Sequence, residues 1–337
     1  MKILFWGTPH FSVPTLDYLI RNGHSISAVI TQPDKKRGRG GSIICSPVKY
    51  KAIENGIKVL CPANISKDIS FQAQLNDIKY DISIVIAFGQ ILPKNILEQP
   101  KYGSWNCHAS LLPRWRGAAP IQWSILSGDS STGIGIMSME EGLDTGPVIL
   151  EKKTDIHPLE NSKSLSDRLS IIAANLTISA LKKIESNNFN NTINNLIIKD
   201  QKQYKDKVTY ARMIKKMDNL INWDNSCIEI HRKIMGLYPN AYTFIGNKRL
   251  KILESIPITE DYKDFFNSYE TKVMKLISTS GKAGTIKGFI NDSGIIISTI
   301  DSNILIKKIK IEGKASSKGK RMIQQLNLSE GTILGKI

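Results

Sequence analysis

Short apolar runs alternate with amphipathic stretches through the first half of the chain. Ile3 to Trp6, Ile26 to Thr31 and Ile82 to Ala87 are almost wholly apolar, the pattern of strands buried on both faces of a parallel sheet. Between the first two, Phe11, Val13, Leu16, Leu19 and Ile20 recur at helical spacing, and Asn22-Gly23 closes the segment. This order predicts an α/β fold with an open, doubly wound, mostly parallel sheet. Gly7-Thr8-Pro9 follows the first strand, so a ligand crevice is expected at the strand C-terminal ends. The G-x-G-x-x-G fingerprint is missing, which counts against a dinucleotide as that ligand.

Ser164 to Ile184 carries Leu165, Leu169 and Ile172 at the spacing of a long amphipathic helix that closes this first domain. Ser186 to Lys207 then turns polar, with three Asn-Asn pairs and many charges, and reads as a connector because it offers little to bury. Tyr242 to Phe244, Leu250 to Leu253, Lys272 to Ile277, Gly294 to Ser298 and Ile304 to Ile311 read as five short strands with Gly, Asn and Asp turns. Five strands predict a small OB-like β-barrel, although periodicity alone does not choose it over another small barrel. The expected division is residues 1–186, a linker at 187–206, and residues 207–337.

Composition narrows this picture. With 337 residues, 41% of them apolar, two cores can be filled. No run of roughly 18 apolar residues is present to span a membrane, and Met1-Lys2 leads directly into a strand-like run rather than a signal peptide, so the expected location is cytoplasmic. Cys45, Cys61, Cys107 and Cys227 lie far apart without a C-x-x-C pair, which supports neither a metal centre nor a disulfide framework. The net charge of +16 points to a polyanionic partner. The bias to Lys, Ile and Asn weakens that inference, so where the charge sits matters more.

The candidate chemistry lies in Asn106-Cys107-His108-Ala109-Ser110-Leu111-Leu112-Pro113-Arg114-Trp115-Arg116-Gly117-Ala118-Ala119-Pro120-Ile121, with a lone acid in Gly142-Leu143-Asp144-Thr145-Gly146. On an extended strand end, Asn106 and His108 project to one side and Cys107 to the other. An amide and an imidazole together suit an oxyanion forming on a carbonyl carbon, and Asp144 can orient the ring or relay its proton. Each residue also has an ordinary structural reading. Asn is common at strand ends, an isolated His is usually a satisfied core residue, and Asp between glycines serves turns. His10, His24, His157 and His231 have no comparable context and read as structural or surface.

Asn-x-His, then Ser-Leu-Leu-Pro-x-x-Arg-Gly-Ala-Ala-Pro-Ile, then Leu-Asp-Thr-Gly resembles the signature of the N10-formyltetrahydrofolate-dependent formyltransferases. The likeness extends from Met1 to Pro9 through Thr31-Gln32-Pro33-Asp34 and Ser46-Pro47-Val48-Lys49, and resumes at Pro239-Asn240-Ala241-Tyr242-Thr243. It implies an enzyme with Asn106, His108 and Asp144 as catalytic groups, Ser110, Leu111, Leu112 and Pro113 at the tetrahydrofolate site, and no metal. It also implies an OB-like C-terminal domain. Arg114 and Arg116 suit either the folate glutamate or a tRNA phosphate.

The basic run Asp34-Lys35-Lys36-Arg37-Gly38-Arg39-Gly40-Gly41-Ser42 reads plainly as a solvated loop. In the branch of the family whose acceptor is methionyl-tRNA, a Gly-Arg-Gly loop after Gln-Pro-Asp enters the acceptor stem. The resemblance therefore assigns Lys35, Lys36, Arg37 and Arg39 to tRNA. Lys248, Arg249, Lys251, Lys307, Lys308 and Lys310 read either as cations tracking phosphates across the C-terminal domain or as ordinary surface residues. The implied activity is formylation of the α-amine of methionyl initiator tRNA for translation initiation, by a monomer with no membrane partner. Two alternatives are a formyltransferase for a small amine, such as an amino-sugar nucleotide, and a non-catalytic tRNA-binding protein. Ala109, where many relatives have Gly, and the spacer Ala315-Ser316-Ser317-Lys318 depart from the family pattern.

Overall fold

The computed structural model describes residues 1–37, 42–186, 196–267, 271–276, 281–290 and 292–335. The chain forms two compact units. One comprises Met1–Pro120, Ser131–Asp155 and Ser166–Arg212, and the other Ile121–Ser130, Ile156–Leu165 and Met213–Ile337.

Among the described residues, the main sheet of the first unit has seven strands. These are β1 (Lys2–Gly7), β2 (Ser25–Ile30), β3 (Val59–Leu60), β4 (Ile82–Ile86), β5 (Ser104–His108), β6 (Ser131–Ser138) and β7 (Val148–Asp155). They lie in the order β7-β6-β5-β4-β1-β2-β3. The ladders from β5 to β3 are parallel, and β6 runs antiparallel to both β5 and β7. Because the chain winds outward from β1 in one direction and then returns to β4 on its other side, the strand order reverses between β1 and β4. The C-terminal ends of β4 and β5 lie beside that reversal.

Burial explains the apolar runs. Ile3, Leu4, Phe5 and Trp6 are all 0% exposed, as a strand covered on both faces requires. Trp6 meets Phe71 and Phe88 edge-on, with ring centroids 6.1 and 5.2 Å apart, and burying a side chain of this kind contributes about 2–3 kcal/mol. Helix α1 (Val13–Arg21) has a proline in its first turn and is followed by Gly23 at φ +77°. Strands β2 and β4 each stop one residue short of the sequence reading. At the second stop Ala87 turns the chain out of the sheet at φ +46°. Helix α2 is Pro47–Glu54, and the long amphipathic segment forms α3 (Ser162–Ser186), which buries Leu169, Ala173, Leu181 and Ile184.

The second unit carries helix α4 (Cys227–Gly236) and an antiparallel sheet of β8 (Tyr242–Ile245), β9 (Lys248–Ile258), β10 (Ile286–Ile290), β11 (Gly294–Ser298), β12 (Asn303–Ile311) and β13 (Ser317–Lys318). The order is β8-β9-β12-β11-β10, with β13 paired to β12. One strand reading is corrected. Thr271–Leu276 is a 3-10 helix rather than a strand over Lys272 to Ile277, because Val273 and Leu276, three residues apart, pack on one cluster with Ile256, Ile258, Ile296 and Leu305. Two strands of this sheet are missing from the sequence reading: β10, whose apolar run is broken by Lys287 and Gly288, and β13, which is only two residues long.

Candidate active site

Strand β5 delivers the first two groups. Asn106 is paired to Val85 of β4 and Met137 of β6, which fixes its backbone between two neighbouring strands. Alternation separates the side chains. Asn106 and His108 reach the Asp144 loop, whereas Cys107 is buried toward Thr177 of α3, and burial pushes its thiol up to about 12. A thiolate at Cys107 is therefore not available near neutral pH.

The three groups meet. Asn106 Nδ2 donates to Asp144 Oδ1 at 3.1 Å, leaving its second N–H for another acceptor. Asp144 Oδ2 accepts the Gly117 backbone N–H at 2.8 Å and lies 3.6 Å from His108 Nδ1. His108 is 5% exposed, and its Nε2 sits 2.9 Å from the Trp115 carbonyl oxygen. A carbonyl has no hydrogen to give, so Nε2 is the protonated nitrogen in that contact. In the neutral ring this leaves the Nδ1 lone pair on the side of the Asp144 carboxylate.

The backbone around these groups is unusual. Trp115 and Asp144 adopt left-handed conformations at φ +62° and +52°, each costing roughly 1–2 kcal/mol for a residue with a Cβ. Neighbouring contacts hold them there. Trp115 N–H donates to Thr209 Oγ1 at 2.9 Å, Arg116 N–H donates to the Thr209 carbonyl at 2.9 Å, and Arg116–Gly117 pairs in parallel with Tyr210–Ala211. Gly146 approaches Ser138 so closely that a Cβ on it would lie 1.8 Å from the Ser138 carbonyl oxygen.

Ser110, Leu111, Leu112 and Pro113 form the next turn. Ser110 Oγ donates to the Arg114 carbonyl at 2.6 Å. Leu112 is 0% exposed and packs with Met137 and Val148. Pro113 is buried as well and Leu111 half-buried, and all three border the space beside this turn. A cavity of about 540 Å³ opens beside this turn, bounded also by Arg114, Lys199, Tyr204 and Lys207. That volume lies within the range of small-ligand sites.

The two arginines divide. Arg116 is buried and donates from Nε and Nη2 to Gln201 Oε1 at 3.1 and 2.8 Å, so it faces inward. Arg114 is exposed, with its guanidinium 4.4 Å over the Trp115 ring. Lys35, Lys36 and Arg37 form one strand of a hairpin paired with Ser42–Ile44, in the register Lys35 to Ile44 and Arg37 to Ser42. Its base is fixed by the Asp34–Lys49 ion pair at 2.6 Å and by Ser46, which caps α2 and bonds Thr31 Oγ1. Arg39 lies outside the described residues. In the second unit Arg249 stacks on Tyr242 at 4.4 Å, and Lys308 pairs with Glu254 at 3.3 Å.

Sequence reasoning missed Gln201, Thr209 and the backbone groups of Trp115 and Gly117. The backbone partners leave no trace in residue identity, and Gln201 lies in a run of polar residues that reads as a connector.

The family model described as "Formyl transferase" matches residues 1–181, and the one described as "Formyl transferase, C-terminal domain" matches residues 213–327. The chain belongs to the formyl transferase family. Over 331 residues this formyl transferase is 50% identical to a protein from Prochlorococcus marinus named methionyl-tRNA formyltransferase, covering 98% of both chains. It is 46% identical over 338 residues to one of the same name from a Synechococcus species, covering all of both. Among solved structures it is similar in fold to an N-formyltransferase from Helicobacter canadensis, in complex with folinic acid and dTDP-3-aminofucose. That likeness has a TM-score of 0.61 at 20% identity, over 91% of this chain and 98% of the other. HypX from Aquifex aeolicus, in complex with tetrahydrofolic acid, matches with a TM-score of 0.60 at 15% identity, over 96% of this chain and 47% of HypX. Among the described residues there is no group of three or more His, Cys, Asp or Glu side chains that could hold a metal ion, and no helix is long and apolar enough to cross a membrane.

Proposed function

We propose that this formyl transferase moves the formyl group of N10-formyltetrahydrofolate to the α-amine of methionyl initiator tRNA, using Asn106, His108 and Asp144. The observation that carries the acceptor is the near-full-length identity of 46–50% to relatives named methionyl-tRNA formyltransferase. The observation that carries the chemistry is the mutual contact of one amide, one imidazole and one carboxylate at the end of β5.

The unused Nδ2–H of Asn106 is the donor for the oxyanion that forms when the amine adds to the formyl carbon. His108, with Nε2–H on Trp115, has its Nδ1 lone pair to receive the amine proton, and Asp144 stabilises the imidazolium so formed. His108 then returns a proton toward folate N10 as the tetrahedral adduct collapses. The formyl C–N10 bond breaks, a new C–N bond to methionine has formed, and no covalent enzyme intermediate is needed. Leu111, Pro113 and the cavity beside them suit a flat aromatic co-substrate. Ser110 holds the turn, and Leu112 borders the same cavity. Lys35, Lys36, Arg37 and Arg39 supply cations for the acceptor stem, in a soluble protein working in the cytoplasm.

Competition between acceptors tests this reading. With formylfolate limiting, label should pass to methionyl initiator tRNA in preference to an amino-sugar nucleotide and to methionyl elongator tRNA. Preferential labelling of the sugar nucleotide would overturn it.

A further inference from the structure

Gln201 is 1% exposed and lies 57 residues from Asp144 and 85 from Arg116 along the chain. Its side-chain nitrogen donates to two carbonyls of the acid's loop, Asp144 O at 3.0 Å and Gly146 O at 2.6 Å. Its side-chain oxygen accepts from Arg116 Nε at 3.1 Å and Nη2 at 2.8 Å. A primary amide has two donor hydrogens and two acceptor lone pairs, and all four are used here. Only an amide can serve both sides, because one wall presents acceptors and the other presents donors.

Each wall carries a group of the transfer centre. On one side is the Asp144 carboxylate itself. On the other, the residue after Arg116 gives its N–H to Asp144 Oδ2, and the residue before it gives its carbonyl to His108. The Asp144 loop needs such determination from outside, because Asp144 is left-handed and Gly142, at φ +133°, is a residue with wide conformational freedom.

We infer that Gln201 is a positioning residue for formyl transfer, setting the Asp144 carboxylate between Asn106 and His108 by locking the 144–146 loop to the Arg116 segment. The inference rests on the reading of Asp144 as part of the transfer centre. Gln201 touches no reacting atom and acts through Asp144.

Gln201→Glu tests it with little change of shape. The substitution keeps an oxygen for Arg116, and in fact adds a guanidinium–carboxylate pair, so folding is expected to be retained. It replaces the donor to Asp144 and Gly146 with an oxygen that repels both carbonyls. A displacement on the scale of 1 Å at a catalytic group costs roughly 10²-fold in rate. The expected result is a folded protein whose kcat falls by roughly 10²-fold, with both KM values near those of the parent and an altered pH profile of kcat. Gln201→Met, which removes all four bonds, should lose at least as much kcat and also lower the melting temperature.

A residue needed only for packing would lower the melting temperature and leave kcat per folded molecule, and its pH profile, unchanged. That result, parent-like kcat in folded Gln201→Glu, or failure of Gln201→Glu to fold would each overturn the inference. Asp144→Asn assayed alongside separates two failures. If Asp144→Asn is inactive while Gln201→Glu is fully active, only the role of Gln201 is lost. If Asp144→Asn is itself fully active, the reading of the centre has failed.

Discussion

Replacing Asp144 by Asn removes the charge beside His108 while keeping the side chain's shape. The Asp144 oxygen lies 3.6 Å from His108 Nδ1, and both side chains are largely buried, at 14% and 6% exposure. At an effective dielectric constant of about 20, a carboxylate stabilises an imidazolium at that distance by about 5 kcal/mol. An Asn dipole replaces part of this, and it also offers an N–H₂ where Asp144 now accepts from either Asn106 or Gly117. If about 4 kcal/mol of the interaction is lost at the transition state, kcat falls by roughly 10³-fold. The assay is steady-state formylation of methionyl-tRNA at saturating concentrations of both substrates, corrected for the folded fraction by thermal unfolding. A well-folded Asp144→Asn protein within tenfold of the parent, a loss of about 1.4 kcal/mol or less, would refute the electrostatic reasoning.

Three further outcomes are expected. Asn106→Ala should lower kcat by roughly 10² to 10³, the cost of one oxyanion donor, and near-parent turnover would remove Asn106 from the reaction. Replacing Lys35, Lys36 and Arg37 together by Ala should raise KM for methionyl-tRNA, leave KM for the formyl donor unchanged, and reduce the salt dependence of tRNA binding by roughly 2 in log–log slope; an unchanged slope would deny them phosphate contacts. His231, in the second unit, is held neutral by burial, which lowers it to about 4, with Nε2–H donating to the Pro158 carbonyl at 2.9 Å and Nδ1 accepting from Ser255 at 3.0 Å. A depressed folded value gives stability that is full above the unfolded value of 6.5 and is lost as pH falls toward about 4, by up to about 3 kcal/mol. Melting temperature should therefore drop across that window, and His231→Gln should flatten the drop; an equal acid response in the variant would assign it to other groups.

The sequence discloses side chains that a motif or strand alternation singles out, and it conceals backbone partners and side chains such as Gln201 and Thr209 that lie far along the chain in polar runs. Asn106 and His108 are readable because strand alternation must put residues two apart on one face, and the apolar runs of β1 and β4 announce a sheet covered on both sides. Asp144 is distinctive through its motif, yet its left-handed conformation and the Gly117 N–H that holds it appear only in three dimensions. Leu112 and Arg116 stand beside Leu111 and Arg114 in the same motif but turn inward, to Met137 and Val148 and to Gln201. Their neighbours face the cavity and the surface. Thr271–Leu276 misleads because Val273 and Leu276 satisfy a 3-10 turn as well as they would a strand.

The proposed chemistry is passage of a formyl group from folate to the amine of methionine on tRNA at the end of β5. It is tested most directly by single-turnover transfer of labelled formyl from N10-formyltetrahydrofolate to methionyl initiator tRNA, followed by hydrolysis of the ester and analysis of the released amino acid. The expected product is formylmethionine, formed by the parent protein and slowed in the chemical step by Asn106→Ala. Release of unmodified methionine alone, or formylmethionine formed equally fast by Asn106→Ala, would contradict the account.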